Sequence, residues 1–271
     1  MDKSEINGRI IVTGATGAIG SAVTRSLAAG GRPVVMACRN PRKAEEQRSQ
    51  ILAACPQARL EVRQLDLRSL RSVRAFAESL GPEPVTGLLH NAGVISRRYE
   101  LTEDGFENTF CTNYFAPFLL TTLLLPRLEA GAHVVSMVSL SCRFVRLTEA
   151  SLQPSEEDFS QLGTYARTKL AMLHFSQELA RRRPDLHVNV ADPGIVDTNI
   201  ITLGHWFDPL TDVLFRPFIK SPRKGAVPPL AALAADRTGC YFVGNRSHAI
   251  PVRYQDPELE RRLWKETERL L

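Results

Sequence analysis

The run IIVTGATGAIGSAV, residues 10–23, decides the fold of this chain. It passes from apolar, β-branched residues into a stretch of small residues through three glycines, Gly14, Gly17 and Gly20. The residues before the glycines predict a buried strand, and those from Ser21 onward predict a helix with one apolar face. A strand that turns through glycines into a helix directs unpaired backbone N–H groups and the positive end of the helix dipole at one point. Such a point suits a phosphate.

Beyond this run, short apolar segments alternate with longer segments of helical period. The predicted strands are residues 9–12, 33–38, 59–65, 85–90, 133–138 and 186–191. After the helix at Ser21, the predicted helices are residues 42–55, 69–80, 106–128 and 164–182. This alternation indicates parallel strands joined by helical crossovers. We therefore expect one α/β domain, residues 1–271, with a Rossmann-type doubly wound parallel sheet of about seven strands flanked by helices.

Two segments interrupt the alternation. Residues 143–163 form a long excursion between the fifth strand and the next helix. Residues 202–222 contain Trp206 and further aromatic residues together with three prolines. Because long loops of this kind often cover binding sites, residues 202–222 are a candidate substrate loop or lid within the domain. The alternative is that their aromatic side chains cap the core.

The bulk composition limits the class of partner. The chain has 271 residues, of which 44% are hydrophobic and 23% charged, as in ordinary globular proteins. Its net charge of +5 would suit nucleic acid, an acidic membrane surface or a phosphorylated cofactor. However, the basic runs 181–183 and 261–262 are short, and no aromatic residues interleave with them, so we expect no nucleic-acid partner.

Cysteine usage and hydropathy indicate a cytoplasmic protein. The five cysteines are scattered without a CxxC pair, which argues against a disulfide framework and against a zinc site. The six histidines lie far apart in the sequence, so no metal site is predicted, and His133 is interpreted as structural. The polar N-terminus resembles neither a signal peptide nor an anchor. The longest apolar run, residues 115–125, is far shorter than the ~20 residues that span a bilayer, so no integral membrane segment is expected.

The residue after the second strand indicates the type of cofactor. Dinucleotide folds that bind NAD place Asp or Glu there, on the ribose hydroxyls. This chain has Arg39, and the next acidic residue is Glu45. A carboxylate repels a 2′-phosphate, whereas a guanidinium pairs with it. The sequence therefore predicts NADP(H) in preference to NAD(H), although Arg39 could also be an ordinary surface arginine.

An ordered set of short motifs carries a family resemblance. They are TGATGAIG (13–20), CRN (38–40), DL (66–67), NAGV (91–94), Asn113, Ser139, YARTK (165–169) and PG (193–194). Each motif alone is common, but the ordered set resembles the short-chain dehydrogenase/reductase superfamily over nearly the whole chain. Within it, the chain is most similar to the retinol dehydrogenase-like group, whose members usually depend on NADP(H).

Three positions depart from the family pattern. Ala18 stands where the usual pattern has its middle glycine, and Gly17 precedes it. That shifted spacing is shared with extended and atypical members, including sugar-nucleotide epimerases and redox sensors. Asp192 precedes Pro193 where relatives often have His. Ser139 and Tyr165 are also farther apart than in the most familiar members.

Tyr165 and Lys169 are the candidates for proton transfer. They are four residues apart on a predicted helix and so share a face. A free phenol has a pKa of about 10, and a cation one turn away would lower it toward the working range of a general acid. Ser139, just past the fifth strand, could hydrogen-bond the substrate oxygen, with Ser141 as the second choice. Asn113 is a polar residue inside a predicted helix, and the alternative for it is a local kink before Pro117.

The resemblance implies roles for these and other residues. The catalytic set is Ser139, Tyr165, Lys169 and Asn113. The cofactor-binding set is Gly14, Thr16, Gly17, Ala18, Ile19, Gly20, Arg39, Asp66, Leu67, Asn91, Ala92, Gly93, Tyr165, Lys169, Pro193, Gly194, Val196 and Thr198. In this set Asp66 would bind the adenine amino group, and Lys169 the nicotinamide ribose.

Together these features predict an NADP(H)-dependent oxidoreductase that transfers hydride between the nicotinamide and a carbonyl or alcohol substrate. The aromatic residues of 202–222 favour a moderately large, apolar substrate. The resemblance also implies a homodimer or a homotetramer. The alternative is a dinucleotide-binding sensor or scaffold without catalysis, which the shifted glycine pattern favours. A sugar-nucleotide epimerase is disfavoured because too few residues follow Pro193 to form a second core.

Overall fold

The computed structural model describes residues 8–194 and 221–271. Its strands are β1 (Arg9–Thr13), β2 (Val34–Cys38), β3 (Leu60–Gln64), β4 (Val85–His90), β5 (Leu128–Met137), β6 (His187–Asp192), β7 (Cys240–Val243) and β8 (Arg246–Ala249). The α-helices are α1 (Ala18–Ala29), α2 (Pro41–Ala54), α3 (Leu70–Ser79), α4 (Asn108–Phe110), α5 (Ala116–Leu124), α6 (Gln161–Arg182), α7 (Pro222–Gly225), α8 (Val227–Leu233) and α9 (Pro257–Leu270).

All eight strands form one sheet in the order β3-β2-β1-β4-β5-β6-β7-β8. The strands pair in parallel from β3 to β7, and β8 returns antiparallel to β7. From β1 the chain adds β2 and β3 on one side of this strand and then returns to add β4 on the other side. The carboxyl ends of β1 and β4 therefore flank a switch point, which is where doubly wound sheets bind ligands.

The sheet separates two hydrophobic cores, because successive side chains of a strand point to opposite faces. Ile10 and Val12 of β1 pack with α1, α2 and α8, whereas Ile11 packs in the core formed by α3, α5 and α6. The helix α9 covers the second core, where Trp264 stacks on Phe175 of α6 with ring centroids 5.6 Å apart. Helices cover both faces of the sheet, and every residue of β1 and β2 is buried. Burial on both faces is the reason that these strands are continuous apolar runs.

The observed elements confirm the predicted fold class, and the two largest departures from the predicted elements lie in the fourth predicted helix and at the start of the fifth strand. The helix expected over 106–128 contains a π-helical segment, Cys111–Phe115, between α4 and α5. The fifth strand begins at Leu128, five residues before its expected start. Within the two described ranges, no helix combines the length and the apolar character needed to cross a membrane.

Candidate active site

The glycine-rich turn brings the ends of β1 and β4 into direct contact. Gly14 has a φ of +63°, which L side chains rarely adopt, and a Cβ there would lie 2.9 Å from Ala92 Cα. Gly20 lies inside the first turn of α1, and a Cβ there would lie 2.2 Å from the Gly14 carbonyl oxygen. Both glycines are therefore required by close backbone packing, and Gly17 caps the helix that begins at Ala18.

Hydrogen bonds fix the same junction. The Asn91 side-chain amide donates to the carbonyl oxygens of Thr13, at 2.8 Å, and of Gly14, at 3.2 Å. The Thr13 hydroxyl accepts from the backbone N–H groups of Asn91 and Ala92, at 3.0 and 3.1 Å. Asn91 and Thr13 thus hold the two strand ends in register beside the start of α1.

Whether Gly20→Ala stabilises or destabilises the protein tests this packing. Gly→Ala inside a helix ordinarily stabilises by ~1 kcal/mol, but Gly20→Ala is expected to destabilise the protein by about 1–3 kcal/mol, since its methyl group overlaps the Gly14 carbonyl. The control is Gly30→Ala, whose added Cβ would meet its nearest atoms at an ordinary 3.5 Å. Chemical denaturation of both variants gives the comparison. Stabilisation of the Gly20 variant would contradict this packing.

A cleft of about 480 Å³ opens above the switch point. It is lined by twelve of the predicted cofactor residues: Gly14, Thr16, Gly17, Ala18, Ile19, Gly20, Arg39, Asp66, Leu67, Asn91, Ala92 and Gly93. The start of α1 faces this cleft, so the N–H groups and the dipole end predicted from the sequence lie where a phosphate could bind.

The cleft contains two cationic residues that the sequence analysis did not predict. Lys43, in the first turn of α2, and Arg68, after β3, line it together with Arg39. Asn40 caps α2 by accepting from the Lys43 N–H at 3.2 Å, which fixes the start of this helix beside the cleft. Arg68 is also paired with Glu100 at 2.7 Å. The signal for Lys43 was its position one turn after Arg39, on the predicted second helix.

Lys169 is buried between α6 and the end of β5. Its Nζ donates to the Met137 carbonyl oxygen at 3.0 Å and lies 5.7 Å from the centroid of the Tyr165 ring. A Cβ at Gly93 would lie 3.4 Å from this Nζ, so the ammonium group adjoins a residue of the cleft. Burial lowers the pKa of Lys169 to about 8, with a smaller opposing effect from Cys142.

Tyr165 is half-buried one turn before Lys169. Burial raises the pKa of its phenol well above the usual value, and Cys142 acts in the same direction, whereas a hydrogen bond with the Ser139 side chain opposes the rise. Desolvation is the largest cause of this rise, so in this structure the pKa of the phenol lies above the range that the sequence analysis expected. The Ser139 hydroxyl, which also accepts from Ser141 Oγ at 3.0 Å, is thus a neighbour of the phenol.

Asn113 lies in the π-helical segment and is almost fully buried. Its Oδ1 accepts from the Val94 N–H at 2.8 Å, and its Nδ2 donates to the Val94 carbonyl oxygen at 2.9 Å and to Thr168 Oγ1 at 3.1 Å. The amide therefore joins the segment after β4 to α6, the helix of Tyr165 and Lys169. Single-turn π segments of this kind are frequent at functional sites.

Asp192 organises the end of β6. Its Oδ1 accepts from the Gly194 N–H at 2.8 Å, and its Oδ2 accepts from the Tyr241 hydroxyl at 2.7 Å. The carboxylate thus holds the turn of Pro193 and Gly194 at the carboxyl edge of the sheet. The predicted residues Val196 and Thr198 lie outside the described residues, as does nearly all of the candidate loop 202–222.

Comparisons with known proteins agree with this architecture. The family model described as short chain dehydrogenase matches residues 9–203. WW domain-containing oxidoreductase from Danio rerio is 39% identical over 280 residues, covering 97% of this chain and 68% of that protein. Retinol dehydrogenase 13 from Homo sapiens is 34% identical over 285 residues, covering 99% of this chain and 86% of that protein.

Two solved structures have a similar fold. A crystal structure of an uncharacterized protein from Mycobacterium Paratuberculosis has a TM-score of 0.79 at 32% identity, covering 97% of this chain and 92% of that chain. A short chain dehydrogenase from Shigella flexneri, solved as a complex with NADP, has a TM-score of 0.67 at 24% identity, covering 89% and 98% of the two chains. The latter likeness shows the shared fold alone.

Proposed function

This chain belongs to the short chain dehydrogenase family, in the group of the retinol dehydrogenases, and from that premise we propose that it is an NADP(H)-dependent carbonyl reductase. The observation that supports this most is the junction at Gly93. This residue lines the dinucleotide-type cleft, and a Cβ built on it would be in van der Waals contact with the Lys169 ammonium group, 3.4 Å away. The cleft and the candidate proton-transfer residues are therefore parts of one site.

The residues of the cleft fit a nicotinamide dinucleotide. The close packing at Gly14 and Gly20 holds the start of α1 beside the cleft. This start offers N–H groups to a phosphate, and Arg39 and Lys43 supply positive charge beside the predicted adenosine end. A bound nicotinamide dinucleotide supplies the hydride. We assign Asp66 and Leu67 to the adenine, Asn91 and Ala92 to the adenosine, and the other predicted residues to the roles that the family pattern implies.

Tyr165 acts as the proton donor in this proposal. Because its pKa is raised, the phenol stays protonated at neutral pH and is ready to give a proton to a carbonyl oxygen that gains negative charge. Ser139 hydrogen-bonds the same oxygen, and Lys169 stabilises the phenolate that remains.

The surroundings of Tyr165 support an apolar substrate of moderate size. Leu140 and Phe144, in the 3-10 turn that follows Ser139, are 47% and 78% exposed, and Leu162, one turn before Tyr165, is 52% exposed. Four other large apolar side chains among the described residues are also exposed: Leu101, Val227, Val243 and Val252. Such side chains beside a reaction centre suit an apolar ligand.

The experiment that tests the function is single-turnover oxidation of bound NADPH with a panel of apolar aldehydes and ketones. We expect NADPH fluorescence to decay with the formation of one equivalent of alcohol. Tight NADPH binding without turnover across the panel would contradict catalysis and favour the sensor or scaffold, for which the shifted position of Gly17 is the specific observation.

Arg39→Asp tests the cofactor preference. The change removes the charge that would pair with a 2′-phosphate and places a carboxylate where it repels one. We expect the Kd for NADPH to rise about 10–100-fold, a loss of about 1.4–2.7 kcal/mol, while the Kd for NADH stays equal or falls. Arg42→Asp is the matched control, because the neighbouring Arg42 is exposed and does not line the cleft. Equal effects on both dinucleotides would contradict the role of Arg39.

A further inference from the structure

Two histidines meet at the sheet edge opposite the cleft. His187 begins β6, and its partner in the parallel ladder is His133 of β5. Their rings lie side by side with centroids 4.9 Å apart and an interplanar angle of 30°. The strands run from this edge toward Met137 and Asp192, so the pair is separated from the candidate active site by the length of the strands.

Asp236 completes a cluster with the two histidines. It lies between α8 and β7, and one donor atom from each of the three side chains lies within 4.8 Å of the other two. A tetrahedral zinc ion with ligands at about 2.1 Å would separate its donors by about 3.4 Å. Small rotamer changes would therefore bring all three donors onto one ion.

The backbone around Asp236 is held against β6. The Asn189 side-chain amide donates to the Arg237 carbonyl oxygen at 2.7 Å, and its Oδ1 accepts from the Cys240 N–H at 3.0 Å. The Gly239 N–H donates to the Val188 carbonyl oxygen at 2.8 Å. These bonds hold the backbone that follows Asp236 beside the start of β6.

His133 carries an unused lone pair. Its Nδ1 is buried and has no hydrogen-bond partner among the described residues. A neutral imidazole is the form that binds a metal, and a buried nitrogen without a partner gains an interaction from it.

The charges that face the cluster set the expected affinity. Asp236 supplies one negative charge, while the half-buried Arg32, from the turn before β2, repels a cation near His133. From the donor set we propose that His133, His187 and Asp236 bind a divalent first-row transition-metal ion, of which zinc is the probe of choice. Two imidazoles and one carboxylate are borderline donors of the kind such ions prefer, and a water molecule would complete the coordination.

A bound ion would have a structural role. It would link β5, β6 and the segment before β7 at the amino edge of the sheet, whereas the opposite ends of β5 and β6 lead to Ser139 and to Asp192. Since the site lies away from the cleft, its ion takes no part in the proposed hydride transfer, and its existence is independent of the proposed function.

The test is the titration of the 271-residue chain with zinc alone, in competition with a chromophoric chelator. We expect one ion per chain, and we expect His187→Asn and Asp236→Asn each to weaken binding at least about 10-fold. His248→Asn is the matched control, because His248 is exposed on β8 outside the cluster. Circular dichroism and the Kd for NADPH check that each variant remains folded.

Two outcomes would overturn the proposal. One is equal zinc affinity of the unmodified protein and the His187 and Asp236 variants. The other is a spectrum of the cobalt-substituted protein with thiolate-to-metal charge-transfer bands, which would place the ion on one of the free cysteines. A cobalt spectrum of nitrogen and oxygen ligands, lost in the His187 variant, would support the site.

Discussion

Replacement of Tyr165 by phenylalanine is expected to lower the rate of carbonyl reduction about 10³-fold or more, near the upper range for the loss of a general acid. The change removes a single hydroxyl and keeps the ring that packs near Lys169. We therefore expect the Kd for NADPH to change less than about 2-fold, well under the 1.4 kcal/mol of a tenfold change. Single-turnover rates and fluorescence titration of NADPH measure the two quantities separately.

Tyr114→Phe is the control for this experiment. The Tyr114 hydroxyl is buried and forms a 2.7 Å hydrogen bond with Thr267 Oγ1, which links the π-helical segment to α9. Its loss is expected to cost about 1 kcal/mol of stability and to leave turnover in place. Survival of turnover in the Tyr165 variant would show that another group donates the proton.

Lys169→Met is expected to have opposite effects on activity and stability. Loss of the cation beside the phenol should lower the reduction rate about 10²-fold. The lowered pKa of Lys169, about 8 against a usual 10.5, corresponds to a penalty of about 3 kcal/mol for folding with the charged amine. After about 1 kcal/mol is subtracted for the lost hydrogen bond to Met137, the variant should gain about 2 kcal/mol.

The pH dependence of stability distinguishes the removal of a buried charge at Lys169 from a general packing effect of the substitution. Below about pH 8 the amine is charged in both the folded and the unfolded chain, so the penalty is complete. Between pH 8 and 10.5 the unfolded chain binds more protons, so the wild-type protein becomes more stable relative to the variant as the pH rises. Urea denaturation at pH 7 and pH 10 should show the advantage of the variant shrinking. A constant difference would contradict a buried charge.

The predictability of the fold came from strong local patterns. The central strands are buried on both faces, so their apolar runs stood out, and β4 was predicted with its observed bounds, Val85–His90. The start of β5 was missed because Glu129, Ala130 and Gly131 give no strand pattern. The π-helical segment Cys111–Phe115 was missed because hydrophobic periodicity does not distinguish one π-helical turn from the α-helix around it.

In the candidate site, too, some features were predictable from the sequence and others were not. The glycine turn and the strand ends were predictable because each is a contiguous motif with a local physical reason. Lys43 and Arg68 follow the predicted residues Arg39 and Leu67 closely in the sequence, but they belong to none of the family motifs and were not predicted. The pairing of His133 with His187, more than fifty residues later, follows from strand register, and that register is invisible in the sequence spacing.

The side-chain amide of Asn113 connects two parts of the candidate site. It is bonded at one end to the backbone of Val94, beside the dinucleotide-type cleft, and at the other to Thr168, in the turn between Tyr165 and Lys169. The amide therefore links the loop that follows β4 to the helix that carries Tyr165 and Lys169. If the proposed cofactor displaces this loop when it binds, we expect the phenol to shift with it.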